Sequence, residues 1–174
     1  MRSEREAVIA TTEPRPSPTA RFCFSHPAHC IALGFGAGLS PVVPGTIGTF
    51  VAIPLALILW RTTNDAGFIV AVIVLTLIGV WAGARTSRDL GVDDHGSIVI
   101  DEIAAFLAML YFVEVGIWHI AFAFVLFRAF DIVKPPPIRW VDAHVKGGIG
   151  VMADDFVAAA FALLVHELVV VFVS

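Results

Sequence analysis

Two adjacent acidic pairs stand where apolar runs begin: Asp101 with Glu102, and Asp154 with Asp155. A third apolar run ends on Arg128 and Asp131, three residues apart and so neighbours on a helix surface. Pro135, Pro136 and Pro137 then stop it. If these runs are helices alternating in direction, five carboxylates and one guanidinium meet at one depth. A lone carboxylate at the centre of a membrane helix costs about 2.5–3.5 kcal/mol, and less near the interface. Five without partners would cost up to roughly 10 kcal/mol, and a bound divalent cation offsets that. Oxygen donors without a cysteine favour a hard ion, magnesium or manganese. One acidic pair in a first helical turn has a simpler reading, stabilisation by the helix dipole. Two pairs with Asp131 and Arg128 at one level exceed what the dipole asks for and mark a functional site.

The connecting segments supply the opposite charge. Lys134 and Arg139 bracket the three prolines, a stiff and largely extended stretch that holds both bases in place. Bases beside a carboxylate-bound metal read as a phosphate clamp; anchoring to lipid headgroups is the plainer reading. Asp94, His95, Gly96 and Ser97 lead into the acidic pair at 101–102. His95 suits proton transfer, or is a solvated loop histidine; Ser97 suits a helix cap. Gly147, Gly148 and Gly150 allow close backbone approach ahead of Asp154. Residues 34–48, GFGAGLSPVVPGTIG, lack the Gly-Lys-Ser/Thr of a nucleotide-binding loop and miss the GxGxxG spacing. They read as a loop whose amides, with the Ser40 and Thr46 hydroxyls, line a polar cavity.

The elements that must position these residues are apolar helices. Of 174 residues, 58% are hydrophobic and only 15% charged, against about a quarter charged in soluble domains. Five apolar segments cover 47–60, 66–84, 98–113, 117–133 and 151–173. None alternates, so the fold class expected is all-α, a polytopic membrane helical bundle of about five helices. The first segment is short and either spans or re-enters. With the N-terminus inside and five crossings, ten of the eleven Lys and Arg fall on one side, and only Arg61 on the other. That bias makes the charged face cytoplasmic. Residues 1–25 are expected to be a disordered cytoplasmic tail, without the apolar core of a signal peptide, and residues 26–174 one membrane-embedded domain. A net charge of −4 argues against nucleic acid as a partner. Two cysteines, Cys23 and Cys30, are too few for a disulfide framework.

Four stretches together resemble the phosphatidylglycerophosphatase A family: GFGAGLSPVVPGTIGT at 34–49, DHGSIVIDE at 94–102, FRAFDIVKPPPIRWVD at 127–142 and GGIGVMADD at 147–155. The resemblance implies a multi-pass inner-membrane enzyme that takes the terminal phosphate from phosphatidylglycerophosphate, with magnesium as cofactor. The family motif positions fall on Asp94, His95, Asp101, Glu102, Arg128, Asp131, Lys134, Arg139, Asp142, Asp154 and Asp155. Our working assignment gives Asp101, Glu102, Asp154 and Asp155 to the metal and Arg128, Lys134 and Arg139 to the phosphate. Asp94, His95 and Asp131 are the catalytic candidates, and Ser40, Thr46 and Asp142 line the site. The expected partners are that phospholipid and the surrounding membrane lipid; oligomeric state carries no signal. A proton- or cation-coupled carrier is the competing class, since intramembrane carboxylates also mark ion pathways, but it predicts charge near the midplane rather than at one interface. A scaffold would leave the converging charges without a role.

Overall fold

In the computed structural model, which describes residues 17–173, the described residues form helices and turns and no strand. The larger part of the expected tail, residues 1–16, lies outside the described residues. The remainder begins with two short helices, α1 (Ala20–Cys23) and α2 (Pro27–Ala32). Thr19 caps the first, its Oγ1 accepting from Phe22 N. His26 caps the second, its Nδ1 accepting from Ala28 N at 3.0 Å, with Pro27 at the first helical position. A 3-10 turn over Gly34–Leu39 leads to α3 (Pro44–Thr62). The long α4 (Asp65–Leu90) is capped by Asn64 and closed by Gly91 in the left-handed conformation, with Val92 N bonded to Ser87 O. There follow α5 (Ile100–Leu110), α6 (Ile117–Val133), α7 (Ile138–His144) and α8 (Gly147–Val173).

Three helices, α3, α4 and α8, are long and apolar enough to cross a membrane. Their outer faces carry Phe50, Ile58, Val70, Leu77, Leu164 and Val171, all exposed, the inverse of a water-soluble surface. The first apolar segment forms one unbroken helix of 19 residues through Pro54, with no break that would mark re-entry. Of the five apolar segments expected, three are long and apolar enough to span among the described residues. The third segment is helical for only 11 residues, about 16 Å against a hydrocarbon core of about 30 Å. It is the hub of the bundle: α3, α4, α6 and α8 all pack on it. Its Phe106 and Leu110 are inaccessible and its Ile103 and Leu107 nearly so. It carries an acidic pair at its start because its neighbours, rather than lipid, surround it.

Small residues set how close these helices come. Hydrocarbon tails are as apolar as leucine, so helices in lipid associate through tight packing rather than water expulsion. Gly79 and Gly83 are four apart on α4 and face Met152 and Val151 of α8, the small-xxx-small spacing that brings backbones together. Gly45, Gly48, Thr49, Ala52 and Ala56 form the buried stripe of α3, the face it packs on α5. A Cβ at Gly148 would land on the Val80 carbonyl oxygen and 2.8 Å from the Ala84 Cβ. Gly148→Ala is therefore expected to lower stability by about 1–3 kcal/mol, read as a fall in Tm of the detergent-solubilised protein. Gly96→Ala, which meets nothing within 4 Å, is expected to stay within about 0.5 kcal/mol of the parent.

Candidate active site

The polar centre lies where α3 and α5 start and α6 ends, with α8 joining it two turns in from its start. Asp101 and Glu102 occupy the first turn of α5, with Asp101 Oδ1 accepting from Glu102 N at 3.0 Å. Asp155 approaches from α8, and Asp101, Glu102 and Asp155 each offer one oxygen within 4.8 Å of the others. Arg128, on α6, faces this group. Its Nη1 lies 2.6 Å from Asp131 Oδ2 and 3.6 Å from Glu102 Oε1, and donates to Thr49 Oγ1 on α3 at 3.3 Å. Thr49 donates in turn to Gly45 O at 2.8 Å. Asp101 and Asp155 are buried, and Glu102, Arg128 and Asp131 nearly so. Glu102 and Asp131 thus flank one guanidinium, with Asp101 and Asp155 gathered against Glu102, and Glu102 Oε2, Asp155 Oδ2 and Arg128 Nε have no hydrogen-bond partner. Buried polar atoms without partners are uncommon and destabilising. An all-oxygen cradle with spare lone pairs and excess negative charge fits a hard divalent cation.

A second layer sits above the first. Lys134 Nζ lies 2.5 Å from Asp154 Oδ2 and 3.0 Å from Asp142 Oδ1. Lys134 closes α6 in the left-handed conformation, φ 45 and ψ 58, with its N–H on Phe130 O. Such a conformation costs a side-chain-bearing residue on the order of 1–3 kcal/mol. The following proline disfavours continuation as helix, and the two ion pairs hold the turn. Burial alone would lower the pKa of Lys134, but its bonds to Asp154 and Asp142 outweigh this and raise it above the ordinary lysine value. Asp94 lies at the mouth. Crowding by protein atoms, then the negative charge of Asp154, raises its carboxyl above the ordinary range, against the pull of Lys134.

Several residues sit otherwise than the sequence alone suggested. Asp154 and Asp155 are not at a helix end: α8 starts at Gly147 and has no acidic residue in its first turn. They lie two turns inside, about 10–12 Å along the axis, so the helix-dipole explanation does not apply to them. Adjacent on the helix, they point about 100° apart, Asp154 to Lys134 and Asp155 to Asp101 and Glu102. The segment after Lys134 is not extended. Pro136 and Pro137 turn into α7, and Arg139 is exposed on that helix, without an ion pair to the site. His95 Nδ1 accepts from Ser97 N at 3.2 Å, shaping the turn into α5. Ser97 does not cap α5, whose N-cap position is Val99.

The glycine-rich stretch at 34–48 meets the site through α3 rather than through its hydroxyls. Ser40 donates to Val42 O at 2.8 Å within its own turn, and no site contact of the Thr46 hydroxyl is described. The side chain that arrives is Thr49, beyond the stretch that drew attention. Its partner position is Gly45, where a Cβ would land on Glu102 Oε1 and come within 3.2 Å of Arg128 Nη1. Gly45 and Thr49 are four apart, one helix face, and that spacing was visible in GTIGT. A Cβ at Gly38 would land on Ser97 O, and one at Gly48 would press on Val99, so these glycines seat the segment that leads into Asp101. At the other end of the bundle His166 Nδ1 pairs with Glu167 Oε1 at 2.9 Å, about 16 Å along α8 from Asp155 and apart from this centre.

The Lys134 layer can be tested by itself. Lys134→Met leaves Asp154 buried without its counter-charge, a change that costs up to about 3–5 kcal/mol, less here because Lys134 is a quarter exposed. The expected result is a fall in Tm that Asp154→Asn in the same chain partly restores. A double variant as unstable as the single one would show that the pair does not hold this turn.

A family model described as "Phosphatidylglycerophosphatase A" matches residues 30–170. A protein of Escherichia coli (strain K12) with that name is 41% identical over 148 residues, 82% of this chain and 83% of its own. A Haemophilus influenzae protein of the same name is 38% identical over 150 residues, 86% of this chain and 92% of its own. A Bacteroides thetaiotaomicron protein, "Putative phosphatidylinositol-3-phosphatase", is 34% identical over 147 residues, 77% of this chain and 87% of its own. No solved structure matches the chain significantly.

Proposed function

This chain belongs to the phosphatidylglycerophosphatase A family, and we propose that it removes the terminal phosphate of phosphatidylglycerophosphate to give phosphatidylglycerol, magnesium-dependently, at the cytoplasmic face of an inner membrane. The observation that carries the mechanism is the cradle of Asp101, Glu102 and Asp155, three oxygen donors within 4.8 Å, with Arg128 and Lys134 beside it. The third relative's name points to a different headgroup but the same class of bond, a phosphomonoester on a phospholipid.

Asp101, Glu102 and Asp155 are the metal ligands of this proposal, with Asp154 in reserve once Lys134 moves. Magnesium held there would polarise the phosphoryl oxygens and lower the pKa of a bound water. Arg128 is suited to the equatorial oxygens of the transferring group, because its unpartnered Nε leaves a donor for them. Its bonds to Asp131 and Thr49 fix the guanidinium plane, so little reorganisation is needed as charge develops. Lys134, between Asp154 and Asp142, supplies a second positive charge at the mouth. Asp131 can take the proton of an attacking water. Asp94, whose carboxyl keeps its proton to higher pH than an ordinary aspartate, can give one to the departing glycerol oxygen.

The cytoplasmic assignment follows from charge. Arg85, Arg88, Lys134, Arg139 and Lys146 belong to the site end of the bundle, whereas Arg61 ends α3 at the other, and basic loops stay inside. Purified protein in mixed micelles is expected to release phosphate from phosphatidylglycerophosphate, to stop with EDTA and to resume with added magnesium. Asp101→Asn and Asp155→Asn should each cost about 10²-fold or more in kcat, while the protein still inserts and keeps its Tm. No turnover, or turnover indifferent to EDTA, would sink the proposal. Thiol labelling of single cysteines at positions 61 and 139 in intact cells should find only position 61 accessible from outside; the reverse pattern overturns the orientation.

A further inference from the structure

We infer that a groove between α3 and α6 holds one acyl chain of the lipid substrate and sets the depth at which its phosphate meets Arg128. The groove is a cavity of about 560 Å³ lined by apolar residues, among them Phe50, Ile53 and Leu57 of α3 and Ile117, Ala121 and Phe124 of α6. Its volume lies within the range of small-molecule sites. Ala121, with Gly116 at the start of α6, leaves it wide between aromatic neighbours.

What separates this groove from the rest of the lipid-facing surface is where it leads. On α3 the residues Thr49, Ile53 and Leu57 are four apart and form one stripe. On α6, Arg128, Phe124, Ala121 and Ile117 follow at spacings of four, three and four, again one stripe. Each stripe is apolar along the groove and polar at a single end. Those ends, Thr49 and Arg128, are bonded to each other in the active site. The groove therefore points at the catalytic centre along both stripes, its lining ending about one helical turn short of Thr49 and Arg128. Its length fits as well: from Arg128 to Ile117 is eleven residues, about 16 Å, and one leaflet's share of the hydrocarbon core is about 15 Å. A chain whose phosphate end is held by Arg128 would lie along the groove to the bilayer midplane. A docked protein helix has no reason to end on a buried arginine–threonine pair, whereas a lipid with a charged head and apolar tail does.

This inference rests on the proposed lipid substrate, and the experiment keeps the two apart. Hydrolysis of a dipalmitoyl substrate is compared with that of the same headgroup lacking acyl chains. Ala121→Trp fills the groove from α6 and Leu57→Trp fills it from α3. Each is expected to lower the ratio of kcat/KM for the acylated over the deacylated substrate about tenfold, as removal of some two methylenes from the groove would. Leu77→Trp, on the outer face of α4, should leave that ratio unchanged. So that the test does not depend on the filled variants folding, the parent protein is also labelled with a substrate carrying a mid-chain diazirine. Labelling should concentrate on 50–57 and 117–125 and be competed by unlabelled substrate. A parent enzyme that hydrolyses neither substrate overturns the lipid phosphatase reading and this inference with it. A parent that hydrolyses the lipid while both filled variants keep the parental ratio overturns the groove alone. Labelling spread evenly over the α4 face, or not competed, also overturns it, leaving annular lipid as the occupant.

Discussion

The structure turns on an excess of negative charge held inside an apolar bundle. Asp101, Glu102, Asp131 and Asp155 gather with a single guanidinium among them, that of Arg128, which pairs with Glu102 and Asp131. Neither lipid nor a packed core tolerates that imbalance, since an unpaired buried charge costs several kcal/mol. Solvent cannot relieve it, because the carboxylates are largely closed to water. The imbalance is relieved only by protons or by a cation.

That centre exists because the surrounding helices come unusually close. Side chains on α3 at positions 45 and 48 would collide with Glu102 and Val99, and one at 148 would collide with the backbone of α4. These glycines do not give the chain freedom so much as remove bulk, letting the starts of α3 and α5, the end of α6 and the inner turns of α8 approach one point. The shortness of α5 belongs to the same logic. A helix of 11 residues shielded by four neighbours can begin with two carboxylates at a depth where a lipid-exposed helix could not.

The two layers of the polar centre are held in different ways. The inner one is rigid, with Arg128 tied to Asp131 and Thr49. The outer one rests on a strained turn at Lys134, held by its pairs with Asp142 and Asp154. A dianion bound beside this lysine would compete with both carboxylates for it. Two turns of α8 lie between the helix start and the carboxylates, so Asp154 and Asp155 sit inside the bundle rather than at its rim.

Sequence by itself determined the solvent and the kinds of donor available. Long uncharged runs leave a chain no stable home but lipid, and carboxylates gathered without cysteine are the donor set a hard cation would take. The motif stretches also determined the family, since four of them stand in order along the chain. Tertiary structure decided which residues share the site. Adjacent residues on a helix diverge by about 100°, so nothing local says that Asp155 joins Asp101 while Asp154 turns to Lys134. It decided that Thr49 rather than Ser40 or Thr46 reaches Arg128, because that depends on which face of α3 meets α5. It placed Arg139 on an exposed helix, where the prolines alone suggested an extended strap. The acidic pairs that first drew attention were read as helix-end features; the pair on α8 lies deep in its helix instead, held by partners distant in sequence, and partners of that kind are fixed only by packing.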